Sequence, residues 1–103
     1  MSGSTHRPDE PRRAPAREAI LAAHSFPGEY TIKAFGPADE AFRTAVVELA
    51  HDVVGAARVA VSERGTRSGD RVCLTISLQA ERVEDVEEVY ARLYSLPTVL
   101  LIF

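Results

Sequence analysis

The sequence lacks several features of composition that would indicate a function. It has no tryptophan, one cysteine, and no basic excess, with 12 Lys and Arg against 15 Asp and Glu and a net charge of −3. A single cysteine, Cys73, excludes an intramolecular disulfide and a CxxC metal-carrier site. Nucleic acid is disfavoured as a partner, because neutralising phosphates takes clustered Lys and Arg.

Long apolar runs are also absent. The most apolar stretch, "LPTVLLIF", has eight residues, whereas a membrane-spanning helix needs about 20. The N-terminus offers Arg and Pro in place of the apolar run of a signal peptide. We therefore predict a cytoplasmic protein with no membrane partner, and we expect the apolar C-terminus to be packed in the domain or against another chain.

A chain of 103 residues accommodates one domain. Residues 1–15 combine Ser, Gly, Pro and opposed charges and cannot bury enough to offset their ordering entropy, which predicts a disordered tail. Residues 16–25 favour a short linking helix with Ile20 and Leu21 as its anchors. Residues 26–103 hold the folded domain.

The pattern of that domain begins with a strand, since polar and apolar residues alternate up to Gly36. A helix follows from Asp39, a natural N-cap, to Val54, and Gly55 suits its end. Its predicted apolar stripe comprises Phe42, Ala45, Val46, Leu49 and Val53.

The second half repeats this order. A strand at "ARVAVSER" leads through "GTRSGD", whose two glycines can take positive φ, into a strand with apolar residues at every second position from Val72 to Ala80. A helix from Arg82 to Ser95 stops before Pro97, and residues 98–103 form the last strand. This order predicts an α+β, ferredoxin-like βαββαβ sandwich, a four-stranded antiparallel sheet with two helices on one face.

The last strand is apolar on both faces, and the helices can cover only one of them. We therefore expect Leu100 and Ile102 to form an interface. The predicted cover is either the segment with Ile20 and Leu21 or a second copy of the protein, which makes a homodimer the expected state.

The stretches "FPGEYTIKAFG" and "EDVEEVYARL...PTVLLIF" resemble the YbeD-like family of small bacterial proteins of unknown function. The resemblance implies a ferredoxin-like fold similar to ACT regulatory domains, which bind small molecules, often amino acids, and tend to pair. Two positions depart from the family pattern. Leu100 stands where Lys or Arg is usual in the last strand, and Glu81 stands where a Ser or Thr N-cap is usual.

The same resemblance implies a ligand site at Gly36 and Asp39, in the loop after the first strand. Each residue also has a structural explanation, since Gly36 can make the turn and Asp39 can cap the helix. The capping carboxylate would itself oppose an anionic ligand at this helix N-terminus. The structural explanation is therefore the favoured one.

Other reactive residues are scattered. Cys73 has no accompanying His and acid, which favours a bystander thiol, and the three histidines lack metal-ligand spacing, so no cofactor or metal is predicted. Arg64, Arg67 and Arg71 surround the hairpin turn, where they could bind a phosphate or an acidic partner or could simply be solvated. The histidines are His6, His24 and His51.

Three functions from different classes follow. The leading hypothesis is a non-catalytic ACT-like module that binds a small metabolite and regulates a partner. The second is a protein interaction module that uses its apolar edge strand and sheet face. An enzyme has the least support, because the sequence shows no carboxylate pair, triad or activated nucleophile.

Overall fold

A computed structural model describes residues 14–103, so most of the predicted tail, and His6 with it, lies outside the described residues. A 3₁₀ turn, Ala56–Arg58, links the second helix to the second strand. The elements, in chain order, are α1 Arg17–Ala23, β1 Gly28–Pro37, α2 Glu40–Val54, β2 Val59–Gly65, β3 Arg71–Ala80, α3 Val83–Tyr94 and β4 Leu101–Ile102.

The four strands form one antiparallel sheet in the order β2-β3-β1-β4. The first and third strands are central, and the last lies at an edge beside the first, as the predicted plan requires. The fold is therefore α+β and ferredoxin-like. None of the helices among residues 14–103 has the length and hydrophobicity needed to cross a bilayer.

One apolar core lies between the helices and the sheet. The strands contribute alternate residues to it, because successive side chains of a strand point to opposite faces. The inward-facing apolar residues of β1, β3 and α3 are all buried. Those from the strands are Tyr30, Ile32, Ala34, Val72, Leu74, Ile76, Leu78 and Ala80, and those from α3 are Val83, Val86, Val89, Tyr90 and Leu93.

The helix ends are fixed by local hydrogen bonds. The Asp39 side chain accepts from the backbone N–H of Phe42 at 2.8 Å, which confirms the predicted N-cap of α2. Gly55 follows α2 with a φ of 92°. At α3 the capping carboxylate comes from Asp85, which accepts from the backbone N–H groups of Glu81 and Arg82 at 3.1 and 3.2 Å. The N-cap residue of α3 is Arg82, so Glu81 lies one position before the cap.

The hairpin between β2 and β3 differs from its prediction in one respect. Only Gly69 takes a positive φ, of 82°. Gly65 instead ends β2 and pairs with Val72, because the regular ladder extends further into the glycine-containing segment than the strand pattern indicated.

The last strand is shorter than predicted. The ladder covers Leu101 and Ile102, although the backbone N–H of Leu100 donates to the carbonyl of Phe35 at 2.8 Å. Ile102 is buried at 5% exposure, whereas Leu100 is 56% exposed. Ile102 therefore packs in the core of the single chain, whereas the predicted interface at Leu100 stays a prediction.

The segment with Ile20 also lies elsewhere than expected. Ile20 is buried at 2% exposure in the core on the helix side of the sheet, and Arg17 holds α1 against Glu87 of α3 with a 2.5 Å contact. Residues 16–25 therefore do not cover the second face of the sheet. Leu21, which points away from this core, remains 50% exposed.

Candidate binding face of the sheet

The side of the sheet opposite the helices is the candidate site, and we call it the open face. Among residues 14–103 no helix lies on it, and its side chains are half-buried or exposed, whereas the helix-side residues of the central strands β1 and β3 are buried. The open face consists of alternate strand residues: Glu29, Thr31, Lys33 and Phe35 of β1, Ala60, Ser62 and Arg64 of β2, Arg71, Cys73, Thr75, Ser77 and Gln79 of β3, and Leu101 and Phe103 from the C-terminal segment.

A shallow concavity of about 990 Å³ occupies one end of this face. The two central strands supply its floor, with Lys33 paired to Thr75 and Phe35 paired to Cys73 across the ladder. Ser62 to Thr66 line one side, and Phe103 lines the other. The twist of the sheet explains a concave surface at this position, and the wide mouth suits a bound segment or a small molecule better than a buried reaction centre.

Apolar and polar parts of the open face are separated. At the β4 side, the Phe35 and Phe103 rings meet edge to face with centroids 5.8 Å apart and an interplanar angle of 84°. Phe103 is 59% exposed. At the β2 side, Ser62 and Thr75 face each other across the ladder, next to Arg64 and Cys73. A ligand could thus be held by an apolar contact at one edge and by hydrogen bonds at the other.

The site predicted at Gly36 and Asp39 is built differently. Gly36 is buried on the helix side, and a Cβ added there would lie 2.6 Å from Cε1 of Phe42, so the glycine accommodates that ring. Asp39 is committed to capping α2. Packing and capping account for both residues, and neither belongs to the open face.

The remaining reactive residues do not converge. Cys73 is half-buried in the concavity, His24 packs at a tilt against Tyr30 with ring centroids 4.5 Å apart, and His51 lies in α2. No group of three or more His, Cys, Asp or Glu residues within 14–103 is placed to hold a metal ion.

Among residues 14–103, the strongly shifted pKa belongs to one of two hydrogen-bonded tyrosines in the core. The hydroxyls of Tyr30 and Tyr90 form a buried hydrogen bond of 3.1 Å. Burial raises the pKa of Tyr90 far above its usual value, and the hydrogen bond with Tyr30 adds to the effect. Tyr90 therefore stays protonated at any physiological pH, and its hydroxyl links β1 to α3 within an apolar core.

Sequence reasoning identified the strands of the open face but not its concavity. The alternation of Thr31, Lys33 and Phe35 with buried residues was the available signal, since it shows polar and aromatic residues sharing one side of a strand. Which of these residues lie opposite each other across the sheet depends on the strand register, and the register could be assigned only from the structure.

Comparison with known proteins places the chain without supplying an activity. A family model described as "Protein of unknown function (DUF493)" matches residues 22–103, which include every strand and the two longer helices. No curated protein matches the chain.

Proposed function

The chain belongs to the DUF493 family of proteins of unknown function, and we propose that it is a non-catalytic binding module whose working surface is the open face. One observation carries this proposal. A four-stranded sheet presents half of its side chains to a surface that no element of residues 14–103 covers, and that surface is concave and bordered by the exposed Phe103. Exposed aromatic groups beside hydrogen-bonding side chains are typical of docking sites.

The proposed partner is a protein, for which the shape of the site is the main support. The concavity is open and continuous with Phe35, Leu101 and Phe103 at the β4 side. Cys73, the nucleophilic sulfur on this face, has no hydrogen-bonded base among residues 14–103, so the arrangement favours binding over covalent catalysis. Pairing of two copies belongs to the same proposal, through the edge at which Leu100 is exposed.

A matched pair of variants tests the use of this face. Thr75→Tyr places a large side chain in the concavity, and Thr44→Tyr makes the same change on the exposed surface of α2. Immobilised wild type and both variants would be compared for the proteins that they retain from an extract of the source cells. We expect a protein retained by wild type and Thr44→Tyr and lost from Thr75→Tyr. Identical retention by all three, with matching melting curves, would refute the proposal.

A small-metabolite sensor is the second candidate, and the volume of the concavity favours it. About 990 Å³ is in the range of small-molecule sites, and Ser62, Thr75 and Lys33 could orient a polar ligand. Thermal unfolding against amino acids and nucleotides tests this function. A ligand at a hundred times its Kd adds about 2.7 kcal/mol, and Thr75→Tyr should abolish the resulting shift in Tm while Thr44→Tyr preserves it.

A further inference from the structure

The basic residues of the domain fall into two groups. Among residues 14–103, five arginines pair with a carboxylate within 4 Å, and they lie on the helices or in the short segments next to them. Four basic residues, Lys33, Arg64, Arg67 and Arg71, make no ion pair with any residue in the 14–103 range. The paired ones are Arg17, Arg43, Arg58, Arg82 and Arg92.

The four unpaired cations lie close together. Lys33 and Arg64 line the concavity, and strand alternation puts Arg71 on the same face, while Arg67 lies in the adjoining turn. Arg64 pairs with Cys73 in the ladder, so its Cα lies about 8 Å from that of Arg71 along the diagonal. Lys33, two strands away and one row further, lies roughly 12 Å from Arg64.

Two acidic residues near this group, Glu63 and Asp70, already have hydrogen-bond partners, and a third, Glu29, lies on the open face outside the concavity. Glu63 borders the concavity, but its carboxylate accepts from Arg43 of α2 at 2.8 Å. Asp70, in the turn, accepts a hydrogen bond from Ser68, which is the main cause of the lowered pKa of its carboxyl; the charge of the neighbouring Arg71 also lowers it. Residues 14–103 hold nine basic and thirteen acidic groups, so four unpaired cations on one side contrast with the acidic character of the domain.

From this arrangement we propose that the open face binds an acidic segment of a partner protein, with an apolar residue of that segment seated between Phe35 and Phe103. The inference rests on the proposed function and names the chemistry of the partner. Arginine side chains form bidentate hydrogen bonds with carboxylates. An extended segment repeats its same-face side chains every 6 to 7 Å, roughly the spacing of same-face rows in the sheet, so one segment can reach the cations and the apolar edge together.

Charge also argues against two other occupants. Residues 1–13 of this chain contain three arginines and two acids, which gives that segment no acidic excess. A second copy would offer α3 as its most acidic element, but there Glu87 is held by Arg17 and Glu88 by Arg92. A partner with uncommitted carboxylates fits the open face better than either.

The test uses the full-length chain, labelled with ¹⁵N, and two synthetic peptides. One peptide alternates glutamate with leucine, and the other replaces every glutamate by glutamine. Binding is followed by amide shifts and by fluorescence anisotropy for wild type and for two single variants. Arg64→Gln removes an unpaired cation, whereas Arg92→Gln removes an ion-paired one on α3 and serves as the control.

We expect the glutamate peptide to shift open-face amides and to bind more tightly than the glutamine peptide. Arg64→Gln should weaken this binding about three- to tenfold, and Arg92→Gln should leave it unchanged. Salt should weaken the binding too, because exposed charges are screened within about 10 Å at 0.1 M ionic strength.

Several outcomes would overturn the inference. These are equal affinity for the two peptides, no binding, or shifts confined to the helices. Contacts between residues 1–13 and the open face in the free protein would identify the chain's own segment as the occupant, and concentration-dependent shifts would identify a second copy. If Thr75→Tyr loses partner retention but the two peptides bind equally, the open face is still a binding site, and only its proposed preference for acidic segments is refuted.

Discussion

Gly36→Ala is expected to destabilise the domain through one steric contact. The glycine has no positive φ, so alanine meets no backbone penalty there. Its Cβ, however, would lie 2.6 Å from both Cε1 and Cε2 of the Phe42 ring, which is closer than two non-bonded carbon atoms tolerate. Phe42 is 2% exposed and has little space into which to move. Overpacking of this kind costs about 1–3 kcal/mol, or roughly 4–8 °C in Tm for each kcal/mol.

The assay is urea unfolding of a double-mutant cycle with Phe42→Leu, which removes the ring. Phe42→Leu alone should destabilise the protein, because it leaves a cavity. In the Phe42→Leu background, Gly36→Ala should cost less than about 0.5 kcal/mol, so the two effects should be clearly non-additive. Gly65→Ala is the matched control, since a Cβ at Gly65 has nothing within 4 Å.

Two results would refute this reasoning. Gly36→Ala could unfold at the same urea concentration as Gly65→Ala, or its cost could persist in the Phe42→Leu background. Either would show that Phe42 is not what requires glycine at this position. It would also restore the loop after β1 as a candidate ligand site, because packing would no longer explain Gly36.

Three further predictions concern the edge strand, the α1 contact and the buried hydroxyls. Leu100→Lys should change the free energy of unfolding of a single chain by less than about 0.5 kcal/mol, because Leu100 is exposed, and should reduce the proposed dimer to 11.2 kDa in light scattering; a persistent dimer contradicts the edge pairing. Hydrogen bonding from Arg17 lowers the pKa of Glu87 below 4.5, so the ion pair stabilises the fold above that pH and loses this effect as the pH falls through the lowered pKa. In urea unfolding, the difference in stability between wild type and Glu87→Gln should therefore be present at pH 7 and shrink in acid; a difference that does not change with pH would exclude the ion pair as its cause. Tyr90→Phe leaves the Tyr30 hydroxyl buried without a partner and should cost about 1–3 kcal/mol in urea unfolding, whereas adding Tyr30→Phe should restore part of the loss; strictly additive costs would argue against the bond.

The central sheet could be predicted from the sequence because its signal is local. Alternation from Val72 to Ala80 has one physical explanation, a strand buried on one side. The position of the terminal segments relative to the rest of the molecule could not be predicted in the same way, because it depends on contacts between residues far apart in the sequence. Ile20 lies in the core because α1 packs against α3, where Arg17 also contacts Glu87, 70 residues away along the chain. Leu100 is exposed although the next two residues, Leu101 and Ile102, pair with β1.

The individual residues of the candidate site could be identified from the sequence, but their arrangement into one site could not. The sequence showed Arg64, Arg67 and Arg71 around a turn and Lys33 in a strand, but it could not show that these four lack ion-pair partners within residues 14–103. Pairing depends on which carboxylates the fold brings near, as with Arg43 and Glu63 on neighbouring elements. The register of β1 against β3, in turn, decides that Lys33 joins the same group.

The strict separation of the two sheet faces has a consequence for how this sequence can change. Every second residue of β1 and β3 packs in the core, and the residues between them are largely free of packing constraints, so folding and surface recognition depend on different residues of the same strand. The residues of the open face can therefore be substituted while the core residues that determine the fold are kept. A library that varies Thr31, Lys33, Thr75 and Ser77 together should yield mostly folded proteins, which makes this small domain a scaffold on which new recognition properties could be selected.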